Sequence, residues 1–503
     1  MANDVVFNKG AGGLGRPLDG EDHISGLLFY TSATLPTGFT SNDRIKQVFS
    51  VEEAENLGIT NTNLGATAAT STYVVSNKGA VGDRVKITCT DVDGTLITLC
   101  DYLQVTADIT STTTCSQRME DEINAGTQTH GFSADNASSA TLTITAPKSF
   151  GIFLNTGTPY VVTITGTVAG TLTQNVVNGV ASTIDIMHYH ISEYFRIQPK
   201  GNLYIGIYAV SADFAEVTTM QNYALGTIRQ IGVYTQAAYA SATCTLLQAQ
   251  STTLEAVHKP LEIFYNPDFQ AISDLTALVT LHTQLNQNVS VMFGQDGANT
   301  GFRLWKANNK SIGCVGTFLG AIALAKVSES IAWISKFNMA AAEYDVLNFA
   351  NGQVYSSISD NSITALDAKG YVFLKKHIGL TGSYWNNPYT CVTITSDYAR
   401  IPNNRTINKA IRGMRTFLLP ALASPIKVNS DGTLTDDVIT YFETLCKRAL
   451  ESMERNSELS AYSVAIDPTQ DILSTSNLEI AVKLVPLGSA DTITVNVGFT
   501  VSI

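Results

Sequence analysis

The sequence predicts an α/β (α+β) body, interrupted by an all-β, sandwich-like surface domain and flanked by an arm strand at each end. Three observations predict it. Between residues 184 and 395, buried strand-like runs alternate with helical stretches. Residues 66–183 are dominated instead by Thr, Ser, Ala, Val and Gly, with recurrent short strand-like runs and one helix. From Ile493 onward, Ile493, Val495, Val497, Phe499, Val501 and Ile503 alternate with small polar residues, the period of a half-buried strand.

That last strand is not self-sufficient. Six apolar side chains, buried at roughly 1.5–3 kcal/mol each, give about 9–18 kcal/mol. Ordering the backbone costs roughly 1–2 kcal/mol per residue, a similar sum over this run. The strand therefore needs a sheet already waiting for it, either in its own domain or in a neighbour.

Composition narrows the function classes. The chain has 503 residues, enough for about three domains at roughly 150 residues each. Charged residues make up only 15% and the net charge is −12, which gives nucleic acid no electrostatic handle. Seven cysteines show no CxxC spacing, so free thiols in a reducing cytoplasm are expected. The start, MANDVVFNKG, has no basic-then-apolar leader, and the run Ile312 to Ala325 is too short to span a bilayer. Synthesis in the cytoplasm without membrane insertion is expected.

Residues 1–20 are Gly-rich and read as an arm, with Val5, Val6 and Phe7 as a short strand able to pair elsewhere. Gly10, Gly12 and Gly15 spell GxGxxG, but no buried strand precedes them and Pro17 and Gly20 follow, so dinucleotide binding is rejected. His23 to Thr31 reads as a strand. Ser50 to Gly58 reads as a helix, with Ser50 as its cap, Glu52 and Glu53 in its first turn, and Gly58 as its stop. Within 66–183, strands are expected at 84–90, 95–99, 141–146 and 160–165, with a helix near 115–123.

At Ile184 the body resumes. His188, His190 and Glu193 sit where a strand would place both histidines on one face. No further ligand is in view, so a packed or hydrogen-bonded role is preferred to a metal. Strands are expected at 203–210, 261–265, 289–293 and 371–374, and a helix from Ser273 carrying Leu275, Leu278, Val279, His282 and Leu285. Gly313 to Lys326 reads as a small-residue helix whose Gly316 and Gly320 admit another backbone. Gln295-Asp296-Gly297 follows a strand, where active sites often lie, but no base or nucleophile accompanies it, and a turn is preferred.

Arg405 to Leu419 reads as a helix with Ile407, Ile411, Met414 and Leu418 inward. Its outer face then carries Arg405, Lys409, Arg412 and Arg415, either as a solvated face or as a surface for an acidic partner. Thr435 caps a second helix with Val438, Phe442, Leu445, Ala449 and Met453 inward, and residues 478–484 alternate as a strand.

This order of helix, turn, helix, strand, Pro-turn and strand resembles the C-terminal domain of the contractile tail sheath proteins of bacteriophages. The matching words are Thr395-Ser396-Asp397-Tyr398-Ala399-Arg400-Ile401, Asn404-Arg405-Thr406-Ile407-Asn408-Lys409-Ala410, Leu459-Ser460-Ala461-Tyr462 with Asp467-Pro468, and residues 484–493. Residues 190–196 and 221–233 are similar upstream. The resemblance covers 1–65 and about 184–503 and leaves the insert outside the common body.

The resemblance implies a non-enzymatic structural subunit without cofactor or metal. It implies stacked six-fold rings around an inner tail tube, with contraction driving the tube through a cell envelope. Partners would be further copies of the chain, the inner tube protein, and baseplate and tail terminator proteins, in a virion assembled in the bacterial cytoplasm. A headless contractile injection device, or a β-rich decoration or adhesin protein, are the alternatives. The domain plan implied is an arm at 1–20, body at 21–65 and 184–395, insert at 66–183, C-terminal domain at 396–490, and arm strand at 491–503. Val5, Val6, Phe7, Ile493, Val495, Val497, Phe499 and Val501 would pair between subunits. Arg405, Lys409, Arg412 and Arg415 would face the tube, with the helix from residue 436 an equal candidate.

Overall fold

A computed structural model of the protein describes residues 20–31 and 35–499. The body opens with β1 (Ile24–Tyr30) and β2 (Ile45–Val48), then helix α1 (Val51–Asn56). The Ser50 hydroxyl caps α1 by accepting from the Glu53 amide at 3.3 Å, and the Glu53 carboxylate accepts from the Phe49 amide at 2.8 Å. Gly58 then turns the chain away at φ +85°.

The insert contains β3 (Thr70–Asn77), β4 (Arg84–Thr90), β5 (Leu96–Leu103), α2 (Thr112–Ala125), β6 (Ser133–Asp135), β7 (Thr141–Thr145), β8 (Tyr160–Thr165) and β9 (Ala169–Val177). They form two antiparallel sheets, ordered β6-β7-β3-β9 and β5-β4-β8. Both sheets send side chains into one core, and so does α2: Cys115, Met119 and Ile123 pack with Tyr73, Ile87 and Leu142. The expectation of an all-β unit is corrected here, because α2 is part of the core. Entry and exit meet at Thr67 and Val180, whose amides and carbonyls exchange hydrogen bonds of 2.9 and 3.0 Å.

The body resumes with α3 (Thr183–Ile197), β10 (Asn202–Tyr208), α4 (Glu216–Tyr223), β11 (Gln230–Ala238), α5 (Ala242–Ala256), β12 (Glu262–Asp268), β13 (Val289–Val291), α6 (Thr300–Asn308) and α7 (Val315–Leu324). The central sheet runs β13-β12-β11-β1-β10-β2 and is parallel except for the edge strand β2. Every residue of β1 is buried, as expected of a parallel strand covered on both faces. Leu27 and Phe29 point to α3 and α7. Leu28 and Tyr30 point to the side of α4 and α5. The glycines of α7 do admit a neighbouring backbone: a Cβ on Gly316 would lie 2.2 Å from the His190 carbonyl oxygen.

Two expectations fail in this region. His188 and His190 stand on helix α3, not on a strand; the Ser182 hydroxyl caps that helix, accepting from the Asp185 amide at 3.2 Å. The helix expected from Ser273 is only two short 3-10 turns, Leu275–Ala277 and Leu281–Thr283. The Lys369 ammonium donates to the carbonyls of Leu275, Thr276 and Leu278, oxygens that a continuing helix would need.

The last part holds α8 (Ile401–Leu418), α9 (Asp436–Arg455) and an antiparallel pair, β14 (Ala461–Ala465) with β15 (Ala481–Val485). Pro402 lies in the first turn of α8, where its missing amide costs nothing. The two helices cross where Gly413 faces Ala449. The inner face of the hairpin, Tyr462, Val464, Val482 and Leu484, rests on Ala410, Leu450, Met453 and Leu459.

Candidate functional site

The C-terminal helix α8 is turned about its axis relative to the expectation. Arg405 is 5% exposed and donates to the carbonyls of Asp22, Ala325 and Lys326 at 3.1–3.3 Å. Lys409 pairs with Asp22 and Glu458, each at 2.6 Å, and Arg412 pairs with Asp22 at 2.9 Å. Of the four basic residues expected to face outward, only Arg415 is exposed. The other three bind α8 to the body, so the expectation that Arg405, Lys409 and Arg412 form its outer face is corrected. Hydrophobic periodicity located the helix but assigned its polar side to solvent, whereas the body presents acidic and carbonyl groups to that side.

The joint is polar throughout. Asn404 and Asn408 donate to the Glu262 carboxylate at 3.3 Å, as does Asn288 at 3.1 Å. Burial pushes the Glu262 carboxyl up to about 7 despite these donors and the nearby Arg405. Burial alone would raise Asp22 too, but Lys409, Arg412 and Arg405 outweigh it and hold its carboxyl below the usual range.

On the opposite side of α8 the apolar residues remain half open. Ile407, Ile411 and Met414, with Ile480, Val482 and Leu484, line a groove of about 530 Å³ beside β15. A second groove of about 370 Å³ continues from it along Ile411, Met414, Ile480 and Val482. The sheet of β14 and β15 has two strands among the described residues, so both carry a free edge. A two-stranded ribbon is marginal on its own and accepts further strands readily.

Beyond Asp491, which pairs with Arg400, the chain leaves the fold. Residues 493–499 form no strand and touch no sheet among the described residues. Ile493, Val495 and Val497 are at least 73% exposed, and Phe499 is fully exposed. Of the two readings left open for this strand, pairing within its own domain is not seen over 493–499. Val5, Val6, Phe7, Val501 and the glycines of the GxGxxG lie outside the described residues.

The other candidates for chemistry are structural. His188 meets the Glu55 carboxylate at 2.9 Å, while His190 is fully buried and burial pushes its ring down to about 3. Glu193 pairs with Arg196 at 2.6 Å and accepts from Thr317 at 2.9 Å. Helical spacing turns these three side chains in different directions. Asp296 caps α6, accepting from the amides of Asn299 and Phe302 at 2.7 and 3.2 Å. Among the described residues, no three His, Cys, Asp or Glu side chains are placed to hold a metal ion. All seven cysteines are buried free thiols. No helix among the described residues is long and apolar enough to cross a membrane.

A parallel-sheet body, an inserted two-sheet unit and a helix-pair-plus-hairpin module with an uncovered edge define a mixed α/β protein. The chain belongs to the DUF2586 family. The family's N-terminal domain matches residues 2–388 and its C-terminal domain residues 397–503.

No curated protein matches. Solved structures similar to it include the helical sheath of the anti-feeding prophage in its contracted state. That likeness has 14% identity and a TM-score of 0.43, and covers 62% of this chain and 81% of that one. A chain of the six-fold symmetrised anti-feeding prophage baseplate has the same identity and score, covering 62% and 80%. The sheath tail protein Lin1278 of Listeria innocua has 11% identity and a TM-score of 0.37, covering 94% and 97%.

Proposed function

We propose that the protein is the sheath subunit of a contractile tail, polymerising as stacked six-fold rings around an inner tube and shortening to drive that tube through a cell envelope. One observation carries this reading. An alternating apolar segment, 493–499, is exposed in the single chain, while α8 and β15 present an apolar groove beside a free strand edge. Burying four such side chains at roughly 1.5–3 kcal/mol each is worth about 6–12 kcal/mol, which a neighbouring copy would supply. The words of residues 395–410 and 484–493 support the same reading. The segment seats on the hairpin of the next subunit, and backbone hydrogen bonds hold the link while rigid bodies repack between two helical lattices.

Contacts of this kind do not close within one ring, so they build a helix. Val5, Val6 and Phe7 are assigned to the same intersubunit sheet. The insert at 66–183 is a surface decoration of the sheath, sandwich-like in plan. The tube-facing role falls to the exposed side of α9, with Tyr441, Arg448 and Arg455. Further partners are a baseplate and a tail terminator, and no catalytic step or cofactor is assigned.

Negative-stain microscopy of the expressed full chain tests the reading. Striated tubes support it; dispersed single particles that bind a glycan would favour a decoration protein or adhesin. Particles from producing cells then separate virion tails from a headless injection device.

A further inference from the structure

Both ends of the described chain are rooted on one helix. Asp22 stands at the exit toward residues 1–19. Its carboxylate pairs with Lys409 at 2.6 Å and Arg412 at 2.9 Å, and its carbonyl accepts from Arg405 at 3.1 Å and Gln230 at 3.2 Å. Glu21 beside it pairs with Arg229. At the other end, Asp491 opens the exposed segment and its carboxylate pairs with Arg400, the cap residue just before α8. Ser489 donates to the same Asp491 carboxylate at 3.3 Å, and the Arg400 guanidinium lies over the Tyr389 ring at 5.7 Å.

Arg400 and Lys409 are nine positions apart. At 1.5 Å and 100° per residue they are separated by roughly 14 Å along the helix and face opposite sides of it. Lys409 also holds Glu458, three residues before β14 begins.

We propose that α8 is a strut joining the two terminal segments, with the Asp22–Lys409/Arg412 cluster and the Arg400–Asp491 pair as its two ionic roots. The proposal rests on the reading of these segments as intersubunit links. Between the two exits, α8 and these ion pairs supply a direct connection in addition to the six-stranded sheet, which the chain enters at Ile24 just after Asp22. A pull on one segment is therefore delivered to the other along the helix axis, and the exit direction of residues 492–499 is fixed before a neighbour is met. The roots differ in strength by design of their surroundings. The first is a cluster of several charges and carbonyls between α8 and the body, and the second is a single pair at the helix start; the Asp22 and Asp491 side chains are equally exposed at 30%, so the number of partners sets the difference.

The decisive experiment compares three full-length chains: wild type, Asp491→Arg, and the exchange Arg400→Asp with Asp491→Arg. Hydrogen exchange of unassembled subunits reads the root directly, and sedimentation of assembled material reads its consequence. The single variant should speed exchange of the 487–492 amides about three- to fivefold, with the central strands and the melting temperature unchanged. It should also shorten or abolish filaments, and the charge exchange should restore both properties. Unchanged exchange at 487–492 in the single variant, or no recovery in the exchanged one, would overturn the strut. A wild-type chain that forms no filament would instead count against the sheath reading, leaving the exchange data to judge the root by themselves.

Discussion

Asp22 and Arg412 lie 390 residues apart in the chain, and the Arg412 guanidinium donates to the Asp22 carboxylate across 2.9 Å. Lys409 joins the same carboxylate and also pairs with Glu458, so two partly buried cations are balanced by two carboxylates, with Asp22 shared between them. Asp22→Ala should destabilise the folded subunit by about 1–3 kcal/mol, read as a lower urea midpoint at unchanged slope. The acid limb gives a second check. Because the folded carboxyl lies below its ordinary 3.8, its contribution is complete above that value and is lost as pH falls through the lower folded value. The variant should show a shallower acid transition than the parent.

Glu262 behaves in the opposite sense. Burial raises its carboxyl from 4.5 to about 7. Its contribution to stability is full below the unfolded value and declines as pH rises through about 7. Glu262→Gln should flatten the stability profile between these limits, measured by thermal melting at a series of pH values. A profile unchanged by the substitution would show that Asn288, Asn404 and Asn408 hold the ionised form without strain.

Gly316 places α7 against α3 with no room for a side chain. A methyl group there would meet the His190 carbonyl oxygen at 2.2 Å, and backbone cannot yield cheaply. Gly316→Ala should lower stability by about 2–3 kcal/mol or more, visible as a depressed melting temperature. Gly488→Ala, where nothing lies within 4 Å, is the matched control and should be neutral.

The insert should be removable. Thr67 and Val180 are already hydrogen-bonded to each other, so a short Gly-Ser turn can replace residues 68–179 without stretching either strand. The shortened chain should keep the helices and strands of the body and lose the bond from the Ile152 amide to the Ala307 carbonyl at 2.8 Å, together with the contacts of Arg303 with Asp91 and Asp93 at 3.4 and 3.7 Å. Aggregation of the shortened chain would mean that the insert shields part of the body.

What could be read from the sequence follows from how local each signal is. The Ser50 cap, strands β4 and β8, and the close approach at Gly316 depend on neighbouring residues or on a fully apolar run, and all were legible. The helix expected at Ser273 failed because Lys369, almost a hundred positions away, takes its carbonyls. Helix α3 was read as a strand because Ile184 to His190 alternates over a few residues before its helical pattern emerges. The face of α8 was misjudged for a related reason: charge on a helix reads as solvent-facing until its partners, Asp22 and Glu458, are known. Residues 493–499 were legible as a strand only in period. The period says what the segment can join, and the fold alone says that no sheet within the described residues has taken it.

The most direct measurement compares the full chain with one ending at Ala490, by sedimentation velocity and thermal melting side by side. The account predicts filaments from the full chain, and from the shortened chain a monomer with the same melting temperature. Unfolding of the shortened chain, or filaments formed equally well without residues 491–503, would contradict it.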